Sequence, residues 1–453
     1  MSYNVREHSY VVGGLGVTGQ ACVRFLLKHN ANVKAFDTRQ AVNLPDDIEK
    51  ALAGKVTTDT LDATYFEGID TLVLSPGLSL NLAQVKLAKQ CGVEVIGDVE
   101  LFARLNQTLS TPKRVVGITG SNGKTTVTLL VTHLLNACGV KSIEAGNVGR
   151  PVLEALESDA DVIVMELSSF QLETTSSLAL AAATILNISD DHLDRHITLE
   201  NYIDAKHRIF DNTQSAIVWR DGEFVAPECD VNNIVEYGLG ESDEDFAVAN
   251  VTGQPYLMFN NTPVIALADI QLAGTHNVLN VMAALGLCDT LGVAPKQAAV
   301  HLKSFKSAPH RCVEIANVNQ VRFIDDSKAT NVGATIAALE GLSPMLNGNI
   351  ILLAGGDAKG ADLQALAPYL ARCVLHVFAF GKDASAFKDA FAATTLVDSL
   401  DSAVEKACDM AKQGDIVLLS PACASIDMFK NYMHRGEVFQ QAVYRQCAVE
   451  ASI

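Results

Sequence analysis

The chain has 453 residues, too many for one hydrophobic core, and its length predicts roughly three domains. A formal net charge of −18 repels nucleic acid and anionic membranes, and no run of Lys or Arg overcomes that field. Hydrophobic residues make up 49% of the chain, which suits a well-folded globular protein, yet no apolar run approaches the ~20 residues that span a bilayer.

The first residues, Met-Ser-Tyr-Asn-Val-Arg-Glu-His, lack the apolar stretch of a signal peptide. The expectation is a soluble, cytoplasmic monomer that binds neither membrane nor nucleic acid. Tyr10–Gly13 reads as a strand that feeds Gly14-Leu-Gly-Val-Thr-Gly19, a formal G-x-G-x-x-G. A helix follows with Ala21, Cys22, Phe25 and Leu26 on one face. The next strand, Val33–Phe36, ends in Asp37-Thr38-Arg39, close to where a ribose-binding acid stands in a dinucleotide fold. Thr71–Gly77 is a strand ending in a tight turn, and Val93–Ile96 is another. Residues 1–102 therefore read as a Rossmann-like parallel α/β domain. The glycine motif specifies backbone shape rather than chemistry, so a dehydrogenase and another nucleotide binder stand level here.

The second domain, 103–308, is organised around Gly117-Ile-Thr-Gly-Ser-Asn-Gly-Lys-Thr-Thr126. Val115–Ile118 reads as a buried strand, Thr119–Gly123 as a glycine-rich turn, and Lys124 opens a helix that runs to about Cys138. Loop N–H groups, the helix N-terminus, the Lys124 charge and the Thr125 hydroxyl together make a polyphosphate cradle with a place for magnesium. The common P-loop wants glycine at position 118, where this chain has Ile118. Lys141–Ala145 reads as a strand before Gly146-Asn147. Asp161–Glu166 is a buried strand whose terminal carboxylate falls near the phosphates, where a magnesium ion needs an oxygen ligand. Ala183–Asn187 is a further strand, ending in Asp190-Asp191-His192-Leu193-Asp194, a cluster that suits either a cation or a solvated loop. The helix over 198–210 places Lys206 among Tyr202, Ala205 and Ile209, an unusual side for a free ammonium. Residues 215–265 read as a small antiparallel patch without chemistry. His276-Asn277 and Asn280 open a long apolar helix.

The third domain, 309–453, starts at Pro309-His310-Arg311. Four strands, Val321–Asp325, Ile350–Gly355, Val374–Phe380 and Ile416–Ser420, each deliver Gly, Ser, Lys or Asp at the carboxyl end. With helices between them they form a second doubly wound, dinucleotide-fold-like domain with a binding face. The 10 cysteines of the chain are scattered, with no C-x-x-C pair and no metal-ligand spacing, which predicts buried, reduced thiols.

Assembled, these stretches resemble the Mur ligase family of ATP-dependent peptide-bond-forming enzymes. The resemblance rests on Gly117–Thr126, Gly146-Asn147, Glu166-Leu-Ser-Ser-Phe-Gln-Leu-Glu173, Asp191-His192-Leu-Asp194-Arg195, Lys206, His276-Asn277 with Asn280, and His310-Arg311. Asp326-Ser-Lys-Ala-Thr-Asn331, Gly355-Gly-Asp-Ala-Lys359, Ser420-Pro-Ala-Cys-Ala-Ser425, and Asp427, Phe429, Lys430 and Asn431 are similar to its D-glutamate-adding branch. The departure at Ile118 is the family's own pattern.

The resemblance implies that the first domain holds the UDP end of a UDP-sugar peptide, with Thr18, Asp37, Thr38, Arg39 and Gly77, and with Asn147 and His192 reaching the same substrate. It implies ATP on Gly117, Thr119, Gly120, Ser121, Asn122, Gly123, Lys124, Thr125, Thr126, Asn147, Asn280, Arg311 and Asp326. Lys328, Thr330, Lys359, Ser425 and Tyr432 would frame D-glutamate. Thr125 and Glu166 would hold one magnesium; His192 and Lys206 would serve a second, with Lys206 carbamylated. The implied catalytic set is Lys124, Glu166, His192 and Lys206, acting on UDP-N-acetylmuramoyl-L-alanine through an acyl phosphate in peptidoglycan precursor synthesis. The third domain is expected to close on ATP and substrate. Competing readings are a ligase for another amino acid, a folate-polyglutamylating relative, a nucleotide-gated regulatory protein, and the dehydrogenase.

Overall fold

The computed structural model describes residues 3–270, 272, 274–343 and 346–447. It contains three sheets. The first is all parallel: β1 (Ser9–Gly13), β2 (Asn32–Phe36), β3 (Val56–Thr57), β4 (Thr71–Leu74) and β5 (Glu94–Ile96), in the order β3-β2-β1-β4-β5. The order reverses beside β1, so the Gly14–Gly19 turn falls at a switch point, the usual ligand crevice of an open α/β sheet.

The second sheet has nine strands. They are β6 (Arg114–Thr119), β7 (Ser142–Gly146), β8 (Val162–Glu166), β9 (Ala182–Ile185), β10 (Ser215–Trp219), β11 (Asn233–Tyr237), β12 (Phe246–Val251), β13 (Gln254–Phe259) and β14 (Thr262–Ala266). Their order is β14-β13-β12-β11-β10-β9-β6-β8-β7. The expectation of a separate antiparallel patch at 215–265 is corrected here. β10, β11 and β12 continue the central sheet in parallel, and only the β12–β13 and β13–β14 pairs are antiparallel, so the antiparallel part is confined to 246–266. Alternating apolar residues specify a strand but not its direction, which is why the pattern misled.

The third sheet runs β15-β16-β20-β17-β18-β19. It is built from β15 (Val313–Val318), β16 (Val321–Asp325), β17 (Ile350–Gly355), β18 (Val374–Phe380), β19 (Thr394–Leu396) and β20 (Ile416–Leu419). β15 is an antiparallel edge and the rest is parallel. The four anticipated strands are all present. β15 and β19 were not anticipated, and both are edge strands with exposed positions that blur the apolar run. The buried strands are the legible ones: β8 and β17 are buried at every position because helices cover both sheet faces.

The described chain groups into two compact units. One runs through Ile188 and takes in Glu200–Ala266 and Val281–Leu302, and so contains the first two sheets. A single core joins those sheets, from Val12 and Leu26 through Phe102 to Ile163 and Ile185. The other unit holds Ser189–Leu199, Leu267–Asn280 and the chain from Lys303, with a core on each face of the third sheet. All ten cysteines are free thiols, but Cys91, Cys229 and Cys312 are exposed rather than buried. Among the described residues no helix is long and apolar enough to cross a membrane.

Candidate active site

β6 ends at Thr119 and the chain turns through Gly120 to Gly123 into the helix Lys124–Ala137. Gly120 (φ +146°) and Gly123 (φ +84°) adopt backbone conformations that side chains resist. A Cβ on Gly120 would also press to 3.2 Å from the carbonyl oxygen of Asn187. The loop is held from outside. The Thr119 hydroxyl donates to the Leu167 carbonyl at 2.7 Å, and Ser121 N–H to the Asn187 carbonyl at 2.8 Å. Asn122 N–H donates to Asn187 Oδ1 at 2.8 Å, and Asn187 Nδ2 returns to the Asn122 carbonyl at 3.1 Å. Asn187 thus braces the cradle, a role that its place at a strand end did not reveal. Lys124 Nζ donates to the carbonyls of Gly120 (2.7 Å) and Ser121 (2.9 Å), and Thr125 is buried in the first helical turn. Gly117 sits inside β6, where a Cβ would approach Leu180 at 2.6 Å; its place is in sheet packing rather than on the loop.

β8 lies beside β6 with Glu166 in register with Ile118. Glu166 is 2% exposed. Its Oε1 accepts from Asn147 Nδ2 at 2.7 Å, while its Oε2 is buried with no hydrogen-bond partner. A buried carboxylate oxygen left without a donor is costly and calls for a cation. Among the described residues no group of three His, Cys, Asp or Glu is placed to hold a metal. A magnesium ion that takes one carboxylate, one hydroxyl, waters and substrate phosphates needs no such group, so Glu166 and Thr125 fit it.

Lys206 is 1% exposed on the helix Leu199–His207. Its Nζ donates to the Gly120 carbonyl at 2.9 Å and the Thr119 hydroxyl at 3.2 Å, and lies 4.5 Å from the Tyr202 ring centre. Tyr202 in turn bonds Ser121 Oγ at 3.1 Å. The helix therefore brings Lys206 to the glycine loop itself, and Tyr202 joins it there as a residue assigned only to an apolar face.

In the first sheet, Leu15 N–H donates to Asp37 Oδ2 at 2.7 Å, and Arg39 binds both carboxylate oxygens at 2.8–2.9 Å. The Arg39 side chain, then the Leu15 N–H, overcome burial and hold the Asp37 carboxyl at about 2. Asp37 anchors the glycine turn and presents Arg39, whose side chain is 58% exposed, at the strand end. Thr38 and Gly77 are exposed beside their strand ends, and Thr18 is half-buried.

In the other unit, His192 takes a left-handed conformation (φ +55°) and its N–H donates to Asp191 Oδ1 at 2.9 Å. Asn331 Nδ2 donates to Asp191 Oδ2 at 3.3 Å. Asp191 thus shapes the loop, and no cation cluster forms there among the described residues; the side chains of Leu193 and Asp194 lie outside them. Asn280 Nδ2 donates to Asn277 Oδ1 at 3.1 Å. Asp326 is buried, accepts from Ser420 Oγ at 2.8 Å and is pushed up to about 7 by burial, which the Arg311 charge opposes. Lys328 Nζ stands 4.0 Å from the Tyr432 ring centre, and Lys328 N–H donates to the His310 carbonyl at 3.0 Å. Lys359 (φ +52°) follows Asp357, which pairs with Lys382 at 3.0 Å.

The residue that binds these strand ends together is Arg435, on the helix Tyr432–Gln446. It is fully buried, and no carboxylate among the described residues bonds it. Its guanidinium donates to Ser327 Oγ (3.1 Å) and the carbonyls of Ser327 (2.8 Å), Cys423 (3.0 Å) and Gly355 (3.3 Å). Burial lowers it to about 10. One cation thus ties the turns after β16, β17 and β20, which carry Lys328, Thr330, Lys359 and Ser425. The five-donor fork of Arg suits this task, and Lys would not span it.

Three family models match successive stretches of the chain. Residues 8–97 match the Mur ligase MurD-like N-terminal domain, 118–288 the Mur ligase middle domain, and 310–423 the Mur ligase glutamate ligase domain. The UDP-N-acetylmuramoylalanine–D-glutamate ligase of Methylobacillus flagellatus is 41% identical over 447 residues, covering 97% of each chain. The protein of the same name from Aliivibrio salmonicida is 42% identical over 435 residues, covering 95% of each. Among solved structures, UDP-N-acetylmuramate-alanine ligase MurC from Thermotoga maritima has a TM-score of 0.61 at 16% identity, covering 96% of this chain and 98% of that one. A pseudomurein peptide ligase type C from Methanothermus fervidus has a TM-score of 0.60 at 20% identity, covering 96% and 99%. These two likenesses concern the fold.

Proposed function

The chain belongs to the Mur ligase family, and on that premise we propose that it is an ATP-dependent ligase that adds D-glutamate to UDP-N-acetylmuramoyl-L-alanine. The reading places it in peptidoglycan precursor synthesis, in the cytoplasm, as a monomer. Residues 1–102 take the UDP-sugar, 103–308 take ATP, and 309–453 take the amino acid.

A carboxylate is a poor acyl donor because oxide is a poor leaving group. An oxygen of the alanyl carboxylate attacks the γ-phosphorus of ATP, ADP leaves, and an acyl phosphate results. The neutral amine of D-glutamate then attacks the acyl carbon, and inorganic phosphate departs from the tetrahedral intermediate. Both steps gather anions, so the site must answer with positive charge and oriented N–H groups. Lys124 and the Gly120–Gly123 loop hold the polyphosphate, with Asn147 beside them. Glu166 and Thr125 would hold a magnesium ion, which would supply charge neutralisation; a carbamylated Lys206 would serve a second. Arg39, with Thr18, Thr38 and Gly77, meets the uridine diphosphate. Lys328, Thr330, Lys359, Ser425 and Tyr432 take the D-glutamate carboxylates.

The observation that carries the reading is the buried Glu166 Oε2 without a donor, one strand from a glycine loop that two lysines touch. The dehydrogenase reading loses its main support, because Asp37 is bound by Leu15 N–H and Arg39 rather than turned to a ribose. Phosphate release with ATP, the UDP-sugar alanine acceptor and a panel of amino acids tests the proposal. D-glutamate is expected to be the active one; turnover with another amino acid and none with D-glutamate would refute it.

A further inference from the structure

The helix Asp98–Asn106 leaves the first sheet directly after β5 and packs against the helix Val152–Leu156 of the second sheet. Glu100 on that helix is 1% exposed. Four donors surround its carboxylate. Oε2 accepts from the N–H groups of Ser176 (2.8 Å) and Ser177 (2.9 Å); Oε1 accepts from Ser177 Oγ (2.8 Å) and Arg104 Nε (2.9 Å). Arg104 continues to Glu94 at 2.6–2.8 Å, so the chain of charges runs back to β5 itself. Burial disfavours the charged form of Glu100, but these donors outweigh it and hold the carboxyl below the usual range.

The turn that Glu100 grips is shared. Gly97 N–H, in the first domain, donates to the Thr174 carbonyl at 3.2 Å, and Gln107 Nε2, just past the helix Asp98–Asn106, to the Ser177 carbonyl at 2.8 Å. Arg208 Nη2 donates to the Thr175 carbonyl at 2.6 Å and Asn212 Nδ2 to the Ser176 carbonyl at 2.8 Å. Arg208 lies two residues beyond Lys206. Upstream, Thr175 Oγ1 donates to the Gln171 carbonyl at 2.8 Å, and Gln171 closes a capping box with Ser168, two residues after Glu166. A Cβ on Gly97 would come to 2.3 Å from Thr174 Oγ1, so the two segments meet without slack.

We propose that Glu100 is a positioning residue of the ligase. Through the 174–177 turn it fixes the register between the first domain, which delivers the acceptor carboxylate, and the Glu166–Lys206 site, which holds the phosphoryl group. This rests on the functional reading above. Hydrogen bonds to a charged acceptor are about twice as strong as neutral ones. A displacement of the reacting groups by about 1 Å costs on the order of 100-fold in rate.

Glu100→Gln keeps the shape but removes the charge and turns an NH₂ toward the donors. In folded enzyme, checked by circular dichroism, kcat is expected to fall by at least about tenfold, with KM for ATP and D-glutamate within about threefold of wild type. A purely structural role would lower the melting temperature and leave kcat per folded molecule unchanged, and that result overturns the proposal. Should Glu100→Gln not fold, Ser177→Ala removes only the hydroxyl donor; a kcat loss of about threefold supports the proposal and an unchanged kcat overturns it. Wild-type enzyme that turns over no D-glutamate sinks the functional reading instead, and this inference with it.

Discussion

Lys206 and Lys124 both donate to the carbonyl oxygen of Gly120, at 2.9 and 2.7 Å. Two ammonium groups on one oxygen repel, and a site where Lys206 is 1% exposed offers little water to screen them. Under the proposed carbamylation, attack of the neutral Lys206 amine on carbon dioxide, with loss of a proton, would relieve that repulsion. It would also replace a cation by carboxylate-like oxygens suited to metal binding. This explains a lysine among apolar residues better than a snorkelling side chain does. A crystal grown with magnesium and nucleotide is expected to show a carbamate on Lys206 Nζ, and a bare amine there would refute the assignment. The sequence disclosed the odd placement of Lys206 but not its target, because only the fold brings 206 to 120. Asn187 and Tyr202 escaped notice for the same reason: a strand-end Asn and an apolar-face Tyr look ordinary until the loop they brace is in view.

Arg435 acts on the scale of elements. Arg435→Met leaves the carbonyls of Ser327, Gly355 and Cys423 without this donor, and each buried unsatisfied acceptor costs about 1–3 kcal/mol. Thermal unfolding is expected to register a loss of several degrees. Arg435→Lys keeps one charge without the fork, and KM for D-glutamate is expected to rise about tenfold while KM for the UDP-sugar acceptor stays near wild type. Equal KM values for D-glutamate in both proteins would show that the clamp does not shape the pocket. The glycine loop at 120–123 was legible because strand, turn and helix are consecutive in sequence. The clamp was not, since an Arg in an amphipathic helix reads as a solvated residue and its partners lie up to 108 positions away. The central sheet's β10 and β11 were misjudged on the same ground: strand direction is a property of pairing, and pairing is tertiary.

For the molecule as a whole, a net charge of −18 opposes every substrate in the proposed reaction, since ATP, the UDP-sugar and D-glutamate are all anions. On this proposal capture would fall to local donors: Arg39 on the first sheet, Lys124 and the loop N–H groups on the second, Lys328 and Lys359 on the third. Each sheet by itself places its polar turns at the carboxyl ends of parallel strands, the general ligand-binding edge of such folds. The three-domain plan was visible in sequence because the motifs are many, spaced and ordered. In the proposed reaction the acyl group of the acceptor passes through an acyl phosphate, a mixed anhydride, on its way to D-glutamate. This route is tested most directly with acceptor labelled with oxygen-18 in the alanyl carboxylate. The account predicts that D-glutamate-dependent turnover transfers one labelled oxygen into inorganic phosphate; product formation with unlabelled phosphate would contradict it.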